Sequence, residues 1–424
     1  MSTLAKYITI FCLFFACSVY AQETYYTTIS NKLIKSLQVR VEDEMISHPY
    51  IEINNQKQIE INFDALTSGY TRYAYSIIHC NADWSKSMLS PIEYLNGFQN
   101  QPIEDFANSM GTTVQYTNYR LLLPNEEMQL KVSGNYAVQV YNEDNPSEIV
   151  LTACFSIVEP MISLSAAVSG NTNIDTNRSH QQVSFVINHK NFPITNPQND
   201  LKIWVYQNNR RDNSVNIINP MNIRANEIEY SNMRELIFHA GNEYRRMEFL
   251  NNRYNGLHVE NMSFHNPYYH VELAIDQSRA NGSYQYDQDQ NGRFFINCNN
   301  CNNPDTEADY NVVHFALESH KINDGNVYLC SDIYNNILNE QSQMTYNAQT
   351  GCYEKIALIK QGIYNYQYLF VPDKTNTGLT APFEGDYSES ENEYIIYVYY
   401  HSMRDRYDRL IGVQTINSST KLFY

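Results

Sequence analysis

The sequence predicts an all-β protein made of tandem immunoglobulin-like or early-set β-sandwich domains. Three observations predict this class. Apolar residues recur in steps of two over many short segments, and no long apolar stripe of 3.6-residue period interrupts them. The third is an aromatic content of 13%, with 36 tyrosines against 2 tryptophans, which suits half-buried strands. With 424 residues, 43% hydrophobic and 18% charged, the chain carries apolar material for two or three cores, since single cores stop growing near about 250 residues. Fifteen glycines, 13 prolines and a mean hydropathy of −0.50 exclude collagen-like, coiled-coil, largely disordered and multispanning classes.

Residues 1–21 read as an export signal. Lys6 precedes the apolar stretch from Tyr7 to Tyr20, which is too short to span a bilayer comfortably, and Val19, Tyr20 and Ala21 give the spacing that signal peptidase reads. Cys17 raises lipid attachment, but Phe14 and Phe15 stand where a lipobox usually has leucine and a small residue, so plain cleavage is expected. No later window approaches about 18 consecutive apolar residues, so no transmembrane segment is expected after cleavage. Cleavage leaves 28 bases against 46 acids. Such a chain would repel phosphates and release no counterions, which argues against nucleic acid and anionic lipid as partners.

A first sandwich is expected over 22–160. Ile59, Ile61 and Phe63 share one face, followed by Tyr73, Tyr75 and Ile77, then Tyr136, Val138 and Val140. Leu151, Ala153 and Phe155 lie opposite Val150, Thr152, Cys154 and Ser156. Ser133, Gly134 and Asn135 supply turn chemistry, and Pro160 closes the last strand because it cannot donate to a ladder. Pro91 to Met110 has room for a short helix or an ordered loop.

A middle sandwich is expected over 161–302, from Val183, Phe185 and Ile187, then Ile203 to Tyr206, Leu236 to His239 and His270 to Ile275, with the hairpin signal Asn291-Gly292 before Phe294 and Phe295. The asparagine-rich stretch from Asn297 to Asp309 reads as a linker. The third module, 303–424, contains Val312 to Leu317, Val327 to Cys330, Tyr353 to Leu358, Tyr364 to Phe370 and Tyr394 to Tyr400.

Several apparent chemical sites weaken on inspection. Cys298, Cys301, His314 and His320 have zinc-finger spacing, yet the flanks of His314 read as strand where a finger needs a helix. A tight Cys298/Cys301 disulfide or plain linker thiols fit better. Asp287, Asp289, Asn291 and Gly292 open like a calcium loop, but position twelve is Cys298 instead of a bidentate glutamate, so a hairpin turn with solvated aspartates is expected. His79, Cys80, Asp83 and Trp84 resemble a thiol nucleophile with its base. On a strand, however, neighbours point to opposite faces, which favours a structural motif in which Trp84 anchors the strand end. Arg210-Arg211 and Arg245-Arg246 read as solvated positions. No hydrolase elbow, phosphate loop, zinc-protease helix or dinucleotide fingerprint occurs, so no catalytic residue, metal or cofactor is expected. Six cysteines remain after export; Cys80 with Cys154 and Cys330 with Cys352 are two of the open pairings, beside free buried thiols.

The most specific segment is Ile78-His79-Cys80-Asn81-Ala82-Asp83-Trp84, followed by Glu93-Tyr94-Leu95-Asn96-Gly97-Phe98, Tyr116-Thr117-Asn118-Tyr119-Arg120 and Ser133-Gly134-Asn135-Tyr136. In this order it resembles the N-terminal domain of the type IX secretion system plug protein family of Bacteroidota. Gly241 to Arg246 and Asp289 to Phe294 extend the likeness through the mature chain. The resemblance implies a non-enzymatic periplasmic component, peripheral to the outer membrane, that closes the periplasmic mouth of the translocon barrel. It implies no interface residue. The third module, through Val327-Tyr328-Leu329, Gly351 to Glu354 and Gly362 to Tyr368, resembles early-set sandwiches shared with glycogen-binding modules. A periplasmic or surface carbohydrate-binding protein is therefore the alternative, although the region has no tryptophan.

Overall fold

The computed structural model describes residues 23–67 and 69–419, so the export segment and Cys17 lie outside the described residues. Within them the protein is all-β. Its α-helices are single turns at Pro91–Tyr94, Pro197–Asp200 and Pro304–Glu307. Each opens on a proline, whose missing N–H costs nothing at a first turn, and each is too short to persist without its surroundings. No helix among the described residues is long and apolar enough to cross a membrane.

The first sandwich has one sheet in the order Ile34–Val41, Ile59–Ala65, Thr117–Leu123 and Phe106–Asn108. The facing sheet runs Thr28–Ile29, Asn145–Val158, Gly134–Asn142, Tyr73–Cys80 and Gln101–Pro102. Ile59, Ile61 and Phe63 meet Tyr75, Ile77, Val138 and Phe155 in one core, as the alternation predicts. The polar sides of these strands are not left in water, however. Thr152, Cys154 and Ser156 are buried too, because Tyr25 packs on Cys154 while Ser156 and Tyr399 both bond Asn135.

The second sandwich does not follow the expected boundary at 302/303. One sheet holds Ser163–Ser169, His180–Asn188, Glu227–Tyr230 and Asn222–Ile223; the other holds Arg210–Ile217, Leu201–Gln207, Glu393–Tyr400 and Arg409–Asn417. Glu393–Tyr400, expected in the C-terminal module, pairs antiparallel with Leu201–Gln207 from Leu201↔Tyr400 to Gln207↔Tyr394. Val183, Phe185, Ile203 and Val205 share a core with Tyr394, Ile396 and Ile411.

The third sandwich is inserted into the second, between Ile237–His239 and Glu393–Tyr400. It recruits Tyr268–Leu273 and Phe294–Ile296, which the sequence pattern assigns to the middle domain. Strands take whichever open edge and apolar face complement them, and chain order alone does not name that edge.

Two further expectations change. The stretch 297–309 is a packed joint instead of a linker: Cys298 and Cys301 are disulfide-bonded, Asn303 caps Pro304–Glu307, and Asp309 accepts the N–H groups of Thr113 and Val114. Asn291 and Gly292 do make a tight turn, with φ of 53° and 90°. The turn joins no hairpin, because the next strand, Phe294–Ile296, pairs with Gly362–Pro372.

Candidate functional site

Strand alternation separates His79 from Cys80. His79 points into the first core, with Tyr136 edge-on at 5.0 Å and Tyr407 at 5.2 Å. Its Nε2 lies 3.1 Å from the Ser133 carbonyl, which can only accept, so Nε2 carries the proton and Nδ1 accepts from Ser87 Oγ at 2.9 Å. Burial holds the imidazole down at about 4 despite the Ser133 bond, so the ring is neutral at neutral pH. Gly134 stands behind it at φ +132°, where an added Cβ would fall 2.6 Å from His79 Nε2. Cys80, on the other face, packs with Tyr25, Ala137 and Cys154 as a buried free thiol. His79 and Cys80 do not form a nucleophile–base pair.

The turn after Cys80 is a joint between sandwiches. The Ala82 N–H donates to Asp408 Oδ2 at 2.8 Å, and Asp408, only 1% exposed, is also held by Lys202 and His401. Asp83 accepts from the backbone N–H of Ser85, which shapes the turn. Trp84, at φ 64°, receives the Arg211 guanidinium over its ring at 5.3 Å. Arg211 also donates to the Tyr25 carbonyl. Ala82 and Val158 share a small core with Tyr399 and Leu410 of the second sandwich.

A second joint ties the first sandwich to the third. Lys360 donates to Asp64 at 2.7 Å, both side chains being 1% exposed, and to the Asp305 carbonyl at 2.7 Å. Asp64 also accepts from Tyr310 at 2.6 Å and Asn118 at 2.8 Å. The Tyr116 ring lies 4.2 Å from the ammonium, and its hydroxyl donates to the Ala308 carbonyl. Both members of the pair therefore make further hydrogen bonds, the condition under which a buried ion pair is tolerated.

Of the arginines expected in solvent, Arg246 does lie at the surface, paired with Asp287, but Arg210 and Arg245 are structural. Arg210 is 4% exposed and pairs with Asp212, while Arg245 bridges Asp276 at 2.7 Å and Glu384 at 3.0 Å inside the third sandwich. Three tyrosines of the third sandwich are likewise interior: Tyr364, Tyr366 and Tyr368 are buried, and the last two donate to Asp276. Asp64, Lys360, Asp408 and Glu384 carry no sequence motif. Only Lys360, which closes the continuous apolar run Ile356-Ala357-Leu358-Ile359, hints at a buried charge.

The two metal-like patterns dissolve. Asp287 pairs with Arg246, whereas Asp289 turns inward to accept from the Tyr244 and Asn291 N–H groups instead of being solvated. Burial pushes the Asp289 carboxyl up to about 7, which opposes cation binding. Cys298 and Cys301 are consumed by their disulfide, and His314 faces His270 at 2.8 Å. No group of three or more potential ligands converges among the described residues.

Residues 34–159, the span containing the His79–Trp84 joint, match the family model described as the type 9 secretion system plug protein 1st domain. The chain carries the first domain of the type 9 secretion system plug protein family. This plug-domain chain is also similar to the crystal structure of a hypothetical protein from Parabacteroides merdae, with 64% identity and a TM-score of 0.93 over 93% of this chain and 100% of that one. No curated protein matches it. The plug-family domain associates the chain with type IX secretion at the cell envelope, and the family is not a known enzyme family.

Proposed function

We propose that the protein is a non-enzymatic periplasmic plug that closes the periplasmic opening of the outer-membrane translocon barrel by steric occlusion. The match of residues 34–159 to the plug family's first domain carries this reading. The joints support it. Three sandwiches locked by Asp64–Lys360, Asp408 and Trp84–Arg211 behave as one stiff body. A stiff body loses little conformational entropy on docking, so contact energy is not spent on ordering the plug and release stays accessible. Against the carbohydrate-binding alternative, Tyr364, Tyr366 and Tyr368 of the segment that resembles glycogen-binding modules lie in the core and offer no ring face to a sugar.

Purification of the tagged protein from native envelopes tests the reading. The translocon barrel is expected to co-purify, and deletion is expected to leave the outer membrane leaky to large solutes. A tight membrane after deletion, with retention on a glycan array and no barrel in the eluate, would replace the plug by the carbohydrate reading.

A further inference from the structure

A cleft of about 300 Å³ opens between the first and third sandwiches, at the small end of ligand-sized cavities. Ile29 of one sandwich and Ile333, Ile356 and Leu358 of the other give it apolar walls. Three lysines, Lys32, Lys35 and Lys355, reach the cleft and no carboxylate lines it, although the chain carries a net charge of −17. Lys355 is anchored, donating to the Gln343 carbonyl at 3.0 Å with its ammonium 5.7 Å from the Tyr334 ring.

Lys35 is different. It is half-buried, and its ammonium has no hydrogen-bond or ion-pair partner among the described residues. The strand bulges there, with a register shift between Lys35 and Gln38 and Ser36 at φ 52°, a device that re-aims a side chain out of its ladder. Burial, with nothing to offset it, holds the Lys35 ammonium below the usual lysine range. On the opposite wall the strand Cys352–Lys360 has a partner on its outer edge only at Thr345–Asn347, which stops at Glu354 and leaves the backbone of 355–359 beside the cavity. A half-buried ammonium without a counter-charge is costly unless an anion joins it.

We propose that this cleft binds a small apolar carboxylate, whose single charge meets Lys35 and whose hydrocarbon body lies against the isoleucines. A free alkyl acid and the hydrophobic C-terminus of a peptide share this chemistry. The proposal goes beyond the plug reading and stands without it.

Calorimetry and thermal melts of the full mature protein with octanoate, octanol and octylammonium test the charge requirement. N-acetyl-Leu-Phe and its C-terminal amide distinguish the peptide source from the free acid. Octanoate, or the peptide acid, is expected to bind saturably and raise Tm, at least about ten-fold more tightly than its uncharged counterpart. Lys35→Met removes an uncompensated charge, so it is expected to fold and to lose that preference while octanol binding is unchanged. A readout free of substitution is the resonance of reductively methylated Lys35, which is expected to shift with octanoate. Equal binding of octanoate and octanol, full affinity in Lys35→Met, or a stationary Lys35 resonance each overturns the proposal.

Discussion

Asp64 and Lys360, 296 residues apart in the chain, meet at 2.7 Å with both side chains 1% exposed. One lies on Ile59–Ala65 and the other on Cys352–Lys360, so this contact fastens the plug-family domain to the third sandwich. Removing one partner strands a buried charge. Lys360→Met is therefore expected to cost about 3–5 kcal/mol, while Asp64→Asn/Lys360→Met recovers part of the loss. Urea denaturation across the double-mutant cycle measures the coupling; additive single losses would contradict it.

His79 makes stability depend on pH. Its folded value near 4 lies below the unfolded value of 6.5, so its contribution is present above about 6.5 and is lost as the pH falls through about 4. The full loss is about 3 kcal/mol. Asp289 and Asp332 act in the opposite sense, because burial raises them to about 7 and about 6, so their contributions are lost as the pH rises through those values. An imidazole titration by NMR isolates His79, which is expected to stay neutral and protonated on Nε2 at pH 6.

Gly134 has no substitute. An added Cβ would meet His79 at 2.6 Å from a backbone at φ +132°, and Gly134→Ala is expected to cost about 2–3 kcal/mol. Thermal melts check it, and an unchanged Tm would mean that the His79 ring yields.

Arg211→Ala is expected to loosen the joint between the first and second sandwiches by about 1–2 kcal/mol, since it removes the contact over Trp84 and the bond to the Tyr25 carbonyl. Hydrogen exchange is expected to rise at 24–27 and 81–86 and to stay unchanged within the third sandwich.

Cys80, Cys154, Cys330 and Cys352 are buried free thiols. Burial raises Cys154 and Cys330 to about 12, which keeps them from ionising near neutral pH. An aromatic disulfide reagent is expected to find these four unreactive in the native protein and reactive in denaturant. Rapid native labelling of Cys80 would revive a reactive role for it.

The all-β class, the inward faces of the first sandwich, the opposite orientations of His79 and Cys80, and the plug-family resemblance are all legible in the linear chain. Alternation, turn residues and motif order are local properties, legible wherever backbone geometry repeats every two residues. That Glu393–Tyr400 closes the second sandwich, that 297–309 is a joint, and that Asp289, Arg210 and Arg245 turn away from solvent emerges on folding alone. A polar residue on an alternating strand reads as exposed until another sheet covers that face. What covers it depends on long-range complementarity of edges, charges and apolar surface, which no local pattern contains.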